Sequence, residues 1–154
     1  VLQVVTASKT DTFSTTSVTP VIIPSLSVSI TPTSASSTIF VSVNIGKSTN
    51  GTGTASSSFY IYRDSTAILI GAAAGSRPRA SFTMGGISGP AHGTAGGMSG
   101  IDSPASTAAI TYALYADTQG GGTTYVNRTA SDNNAADSYN SRSISTITVM
   151  EIGA

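Results

Sequence analysis

The sequence predicts an all-β fold, an antiparallel sandwich or barrel of about eight to ten short strands. Three observations predict it. Apolar and hydroxyl side chains alternate with a period of two in several segments, which is the pattern of a strand with one buried face. No long stretch places apolar residues at helical spacing. Turn-forming residues separate the alternating segments at short intervals, as they do in antiparallel sheets.

Alternation defines the first two predicted strands. Over residues 26–30, Leu26, Val28 and Ile30 alternate with serines, so one face is apolar and the other carries hydroxyls. Residues 39–45 repeat this pattern with isoleucine and valine on one face. We therefore expect both strands to place one face against a core.

The middle of the chain adds a hairpin and three further strands. Residues 59–63 and 67–70 are short apolar runs on either side of Asp64-Ser65, which predicts a hairpin turn. Strands are also predicted at residues 79–84, 108–116 and 123–128.

Residues 143–152 form the last predicted strand, and both of its faces are apolar. Ile147 and Val149 face one way, while Ile144, Met150 and Ile152 face the other. This pattern indicates a central strand, covered by the opposing sheet on one face and by a neighbouring subunit on the other.

The length of 154 residues fits one domain, and we predict a single sandwich over residues 1–154. Two segments break the strand pattern and are predicted as loop excursions, residues 47–58 and residues 85–100. The second has seven glycines among sixteen residues. It is either a flexible surface excursion or a binding loop that presents His92, Gly96 and Met98.

Composition excludes several classes of partner. Seven basic residues balance seven acidic ones, whereas serine and threonine together number 49. Without a basic excess or cluster, we expect neither nucleic-acid binding nor binding to an anionic membrane. The absence of cysteine excludes disulfides, thiol catalysis and thiolate metal sites. No apolar run approaches the ~20 residues of a membrane span, so membrane insertion is not expected.

The sequence does not predict an enzyme, a metal site or a cofactor. His92 is the only histidine, and it lies in the glycine-rich segment, which is a poor place to hold a general base. The aspartates fall mostly in predicted turns, where they bind local backbone. Asp132-Asn133-Asn134 with Asp137 offers oxygen ligands for calcium, but lacks the pattern of an EF-hand loop.

Two further sequence features bear on binding, namely the polar loop that contains Tyr139 and two glycosylation sequons. Tyr139 lies in a polar loop over residues 132–141 and is the tyrosine most available for contact; Asn133 belongs to the same loop. The other tyrosines are interpreted as strand residues with hydroxyls at the rim more than as a sugar-stacking platform. Sequons at Asn50 and Asn127 are expected by chance in a threonine-rich chain.

Several segments resemble a family of structural proteins from tailed bacteriophages, especially marine ones, described as tail-fibre or virion proteins. The resemblance covers most of the chain in the same order, except residues 47–58 and 85–100. The matching segments are residues 1–5, 9–15, 26–32 and 34–37, Arg63-Asp64-Ser65, Asp102-Ser103-Pro104, Asn127-Arg128, and the ending STITVMEI at 145–152.

The resemblance implies a jelly-roll-like sandwich, similar in layout to trimeric globular heads of the complement and tumour-necrosis-factor type. It brings no catalytic motif. It implies a homotrimer located on the virion, outside the cell, beside other virion proteins. The expected function is host attachment by a tail fibre or fibre tip, through a surface glycan or an outer-membrane receptor. The alternatives are a capsid decoration or head-fibre protein and, from another class, a depolymerising tail enzyme.

Overall fold

The computed structural model describes residues 1–51, 55–85 and 92–153. Within these ranges it contains eleven strands and a short 3-10 helix at Ser138–Asn140. The strands are β1 (Gln3–Lys9), β2 (Phe13–Thr15), β3 (Val21–Ile30), β4 (Thr38–Asn50), β5 (Ser57–Arg63), β6 (Thr66–Ile68), β7 (Phe82–Met84), β8 (Thr94–Asp102), β9 (Ile110–Thr118), β10 (Thr124–Val126) and β11 (Ser145–Ile152).

The strands form two antiparallel sheets. In the first sheet β8, β4, β11 and β1 lie side by side. Strand β10 pairs with β4 beyond the end of β11, and β2 pairs with β10, so β10 and β2 continue the lines of β11 and β1. In the second sheet β3, β9 and β5 lie side by side, and β6 and β7 pair with successive parts of β5.

The pairing order is that of a jelly roll. When β1 and β2, β6 and β7, and β10 and β11 are each treated as one line, the chain has eight strand positions. The first pairs with the eighth, the second with the seventh, the third with the sixth and the fourth with the fifth. This nested arrangement defines the jelly roll. The predicted all-β antiparallel sandwich is confirmed.

The core lies between the two sheets and is built from the inward rows of the alternating strands. Inward residues of β11 include Ile147 and Val149, as predicted, and β11 lies between β1 and β4. The buried apolar residues are Ile23, Leu26, Val28, Ile30, Ile39, Val41, Val43, Ile45, Phe59, Ile61, Met84, Ile110, Tyr112, Leu114, Ala116, Val126, Ile147 and Val149.

Most predicted strands coincide with observed ones. The hairpin at Asp64-Ser65 is confirmed by the pairing of β5 with β6. The strand predicted at residues 79–84 is limited to β7. Strands β1 and β2 are not part of the prediction, because their inward residues Val5, Ala7 and Phe13 are only partly buried and alternate weakly with polar residues.

Both predicted loop excursions are shorter than expected. Strand β4 extends to Asn50, and the prediction of a loop over residues 94–100 is wrong because these residues belong to β8. Gly97 explains the difference: a Cβ there would overlap the carbonyl oxygen of Val43 on β4. The glycine therefore permits close approach of two strand backbones. Residues 52–54 and 86–91 of the two excursions lie outside the described residues.

Asn127 occupies the point where two strand lines of the first sheet are interrupted. Its side chain is inaccessible to solvent and its φ is +63°. The Nδ2 group donates to the carbonyls of Lys9 at 2.8 Å and Asp11 at 2.9 Å, and Oδ1 accepts from Ser145 Oγ at 2.6 Å. Burial of Asn127 and Asn50 supports the interpretation of both sequons as chance matches.

An ionic contact joins the two sheets near their open edge. Arg63 of β5 donates from Nη1 to both Asp102 oxygens, at 2.9 and 3.0 Å. Buried Tyr112 donates to Asp102 Oδ2 at 2.7 Å, and burial together with this bond raises the pKa of Tyr112. Asp64 exchanges hydrogen bonds with the backbone of Thr111, which fixes the hairpin to β9.

Glu151 is the buried carboxylate of β11. Its oxygens accept from Gln3 Nε2, from Thr33 N and from Thr33 Oγ1, each at 2.7 Å. Hydrogen bonds to the carboxylate lower the pKa of Glu151 to about 2, although burial acts in the opposite direction. The bond from Gln3 has the largest effect, and the bonds from Thr33 add to it. Glu151 thereby fastens the turn that precedes β4 to β11 and β1.

We expect Glu151 to make the free energy of unfolding depend on pH. Its pKa in the folded state lies below its ordinary value of 4.5. The stabilisation is therefore complete above about pH 4.5 and is lost as the pH falls toward about 2. Urea unfolding across this range measures the effect. Glu151→Gln should be less stable near neutral pH, because its amide meets the Gln3 donor.

The difference in stability between wild type and Glu151→Gln should shrink as the pH falls through that window. The matched control is Asp137→Asn, which changes an exposed carboxyl. A difference between wild type and Glu151→Gln that is constant from neutral to acid pH would contradict this role.

Candidate functional site

The connection between β10 and β11 forms an exposed segment that carries two of the predicted site residues. We call residues 128–142 the Tyr139 segment. Tyr139 lies in the 3-10 helix and is 47% exposed, and Asn133 is exposed on the same segment. His92, just before β8, is also exposed, and its ring centroid lies 6.1 Å from that of Tyr139. The structure thus brings together His92 and Tyr139, from two segments distant in sequence.

Met98 and Gly96 lie elsewhere. Met98 is opposite Val43 in the pairing of β8 with β4, and its side chain packs against the core. A Cβ on Gly96 would contact the side chain of Met84. The prediction that places Met98 and Gly96 on a presenting loop is wrong, because both belong to a paired strand and face inward.

Lys47 anchors the Tyr139 segment to β4. Its Nζ donates to the carbonyl of Tyr139 at 3.0 Å, and to the carbonyl and Oγ of Ser141 at 2.8 and 3.0 Å. Partial burial lowers the pKa of Lys47. The ammonium group thus donates hydrogen bonds to two carbonyl oxygens near the end of the 3-10 helix, where backbone acceptors lack partners within the helix.

Asp132 forms a second anchor. Its carboxylate lies 2.8 Å from Arg128 Nη1 and 2.8 Å from Arg142 Nη2. The Arg128 guanidinium also lies over the ring of Tyr125, 4.5 Å from its centroid. Asp132 therefore ties the two ends of the Tyr139 segment together. Both of its oxygens bind arginine, which is a different role from the calcium ligand considered from the sequence.

The anchors leave an ordered, polar and partly aromatic surface. Asn140 Nδ2 donates to Asp137 Oδ2 at 3.2 Å, and a hydrogen bond to Asp137 raises the pKa of Tyr139. Amide, hydroxyl and imidazole groups here offer both donors and acceptors. Because its backbone is already fixed, the Tyr139 segment would lose less conformational entropy when a ligand binds to it. Chemically, the arrangement suits recognition of a polar ligand.

The outward face of the first sheet is a second surface. The sequence predicts its apolar residues on β11, Met150 and Ile152, but not the residues that lie opposite them on the other strands. Val4, Met150, Phe40 and Ile101 stand directly opposite one another across β1, β11, β4 and β8. Val4 and Ile101 are 54% and 49% exposed. No outward residue of β1, β8 and β11, or of β4 from Thr38 to Asn44, is ionisable. Lys47, near the end of β4, lies beside the Tyr139 segment. The strand pairing, which joins distant parts of the sequence, extends the predicted apolar face of β11 into this row.

The outward face of the second sheet carries the tyrosines of β5 and β9. Tyr60 stands opposite Tyr115, and the rings of Tyr62 and Tyr115 lie 4.2 Å apart between centroids. Tyr60 donates to Asp117 Oδ2 at 2.7 Å, and burial and this bond raise the pKa of Tyr60 to about 12. The signal in the sequence is the spacing of Tyr60 and Tyr62, which puts both on one face.

No protein-family model matches the chain, and neither does any curated protein. Among the described residues, no group of three or more histidine, aspartate and glutamate side chains is placed to hold a metal ion. The described residues likewise include no helix with the length and hydropathy of a membrane span.

We expect Asp132→Asn to loosen the Tyr139 segment. The substitution removes two partly exposed ion pairs, each worth about 0.2–1 kcal/mol. A loss of about 1 kcal/mol in local stability raises the population of the open segment about fivefold. Trypsin cleavage at Arg128 and Arg142, followed by mass spectrometry, should accelerate by that factor.

The control is Asp137→Asn, which removes an exposed carboxyl of the same segment that forms no ion pair within residues 1–51, 55–85 and 92–153. Equal cleavage rates for wild type and Asp132→Asn, with unchanged global stability, would show that Asp132 does not hold the segment.

Proposed function

We propose that this chain is a non-enzymatic structural protein of a tailed-phage virion, forming a tail-fibre or fibre-tip domain that attaches the particle to its host. The observation that carries this proposal is the anchored display of Tyr139. A rigid sandwich presents an exposed polar segment whose backbone is fixed by Lys47 and Asp132. Recognition loops on a rigid scaffold are typical of attachment proteins.

The resemblance to phage structural proteins supports the proposal in a particular way. The polar residues of the matching motifs, such as Arg63, Asp102 and Asn127, make hydrogen bonds within the sandwich and stabilise it. Recognition of a host would then fall to segments outside the resemblance. His92 comes from such a segment and lies beside Tyr139. The partner would be a polar receptor, either a surface glycan or an outer-membrane component.

We propose further that the domain is a homotrimer, assembled with other virion proteins through the outward face of the first sheet. That face carries the apolar row of Val4, Met150, Phe40 and Ile101, and its outward residues on β1, β8, β11 and β4 as far as Asn44 are not ionisable. Copies of such a face do not repel one another, and interface centres are depleted in charge. A closed symmetric assembly would present several Tyr139 segments at once and raise avidity.

The location of the chain on the virion tests the attachment function. Gold-labelled antibodies raised against the purified chain should bind the distal tail of intact particles in electron micrographs. The purified chain should also block adsorption of the particles to host cells. Tyr139→Ser should reduce this block about tenfold, as expected for an exposed aromatic contact. Ser76→Ala, in an exposed turn between β6 and β7, is the control.

Label on the capsid would instead support the alternative, a capsid decoration or head-fibre protein. Failure of the purified chain to affect adsorption at any concentration would contradict an attachment role. An unchanged block by Tyr139→Ser would remove the Tyr139 segment from that role.

Light scattering tests the trimer. We expect a mass three times that of the 15.4 kDa chain. Met150→Glu buries a charge in the proposed interface and should yield monomers, as should Ile101→Lys at an exposed position. Asn134→Glu adds the same charge on the Tyr139 segment and should leave the mass unchanged. A monomeric wild type at micromolar concentration would contradict the proposal.

A further inference from the structure

The outward face of the second sheet holds a compact group of tyrosines distinct from the Tyr139 segment. Tyr60 and Tyr62 project from β5, and Tyr115 projects from the neighbouring β9. The Tyr62 and Tyr115 rings meet at 4.2 Å with an interplanar angle of 35°. Ile22 stands opposite Tyr115 on β3 and is 44% exposed. We call Tyr60, Tyr62 and Tyr115 the tyrosine face.

Asp117 adds an incompletely bonded acceptor to this face. It follows Tyr115 by two residues on β9, so both side chains project from the same side of the sheet. Asp117 is 2% exposed. Its Oδ2 accepts from Tyr60 at 2.7 Å and from Gln119 Nε2 at 3.3 Å, whereas Oδ1 has no hydrogen-bond partner.

A buried carboxyl oxygen without a donor is costly, typically by about 1–3 kcal/mol. Such a group in a folded protein calls for an explanation, and a ligand that supplies the missing donor is one. Gln119, which follows the end of β9, reaches Asp117 through one long bond to Oδ2. A hydroxyl donor that displaced this amide would bond the carboxylate at a shorter distance, as is usual for a hydroxyl on a carboxylate.

We infer that the tyrosine face binds a pyranose ring of a saccharide, stacked on the outer side of the Tyr62–Tyr115 pair with one hydroxyl donated to the Asp117 carboxylate. Aromatic faces carry negative charge density and attract the polarised C–H groups of a sugar ring. A carboxylate is the strongest hydroxyl acceptor that a protein offers. Tyr115 and Asp117 are successive residues on one face of β9, so one ligand can contact both.

The surroundings favour a sugar over an apolar peptide. Ile22 is the exposed aliphatic side chain next to the tyrosines, and the rows beyond them carry hydroxyls. Ser29 and Thr111 are hydrogen-bonded to each other at 2.9 Å on the same face. Hydroxyls of this kind form direct and water-mediated contacts with a polar ligand. The inference goes beyond the proposed function because it concerns a different surface.

Saturation-transfer NMR on the purified full chain tests the inference. The probes are methyl glycosides of glucose, galactose, mannose and N-acetylglucosamine, tested separately at about 20 mM because single sugars bind with Kd on the order of 1 mM. At least one should receive saturation. Tyr62→Leu and Tyr115→Leu keep apolar volume but remove the ring, and each should weaken binding at least tenfold.

Two further variants locate the site. Asp117→Asn keeps the shape of the side chain and should also weaken binding about tenfold. Tyr139→Leu is the matched control, since it removes a tyrosine of the proposed attachment segment, and it should bind like wild type. Circular dichroism checks folding; if a tyrosine variant fails to fold, Asp117→Asn decides.

Three results would overturn the inference. One is the absence of saturation for all four glycosides. Another is wild-type binding by Asp117→Asn together with the folded tyrosine variants. The third is loss of sugar binding in Tyr139→Leu alone, which would move the sugar to the Tyr139 segment and leave the attachment function standing. A change of mass in light scattering caused by Tyr62→Leu would identify the face as a protein interface, also against the inference.

Discussion

The hydrogen bonds of the Asn127 amide are the interaction on which the first sheet depends. Two adjacent strand lines are broken beside it, because β10 stops before β11 begins and β1 stops before β2 begins. Buried carbonyls at such breaks need donors. Asn127 supplies them to Lys9 and Asp11, while Ser145 at the start of β11 donates to its oxygen. The residue also takes a left-handed conformation, which asparagine tolerates better than most residues. The chain can therefore leave the sheet for the Tyr139 segment and re-enter in the same strand line.

The few charges of the chain serve mainly internal structure. Glu151 holds a turn against two strands, Arg63 and Asp102 join the two sheets, and Asp132 closes the Tyr139 segment. With these charges engaged in this way, the outward faces of the sheets consist mainly of hydroxyl, aromatic and aliphatic groups, with Lys47 and Asp117 as exceptions. Long-range electrostatic attraction then contributes little, and binding to such faces depends on fit and hydrogen bonding at short range.

The sequence predicts the fold class well because strand alternation is a local property. It survives in β3, β4 and β11, where large apolar residues mark the inward face. It fails in β8, where glycines needed for close packing resemble a loop, and this failure misplaces Met98. The exposure of Tyr139 follows from its polar surroundings in the sequence. The contacts of Tyr139 with Lys47 and His92 do not follow from the local sequence, because the pairing of distant strands brings these residues together. The sequence indicates only one strand of the tyrosine face, through Tyr60 and Tyr62, and one strand of the apolar row, through Met150. The neighbours on other strands stay hidden, since register across strands is a long-range property.

The alignment of β10 with β11 also affects how the sequence of this sandwich can evolve. The Tyr139 segment departs and returns along one strand line, so its ends are set by the sheet and not by its own length. Doubling the length of a flexible loop with fixed ends costs only about 0.6 kcal/mol. Insertions and deletions between residues 128 and 142 would therefore leave the pairing of the first sheet intact. The paired strands can therefore keep their geometry while the sequence and length of the Tyr139 segment change. A new binding preference then requires no change in the core.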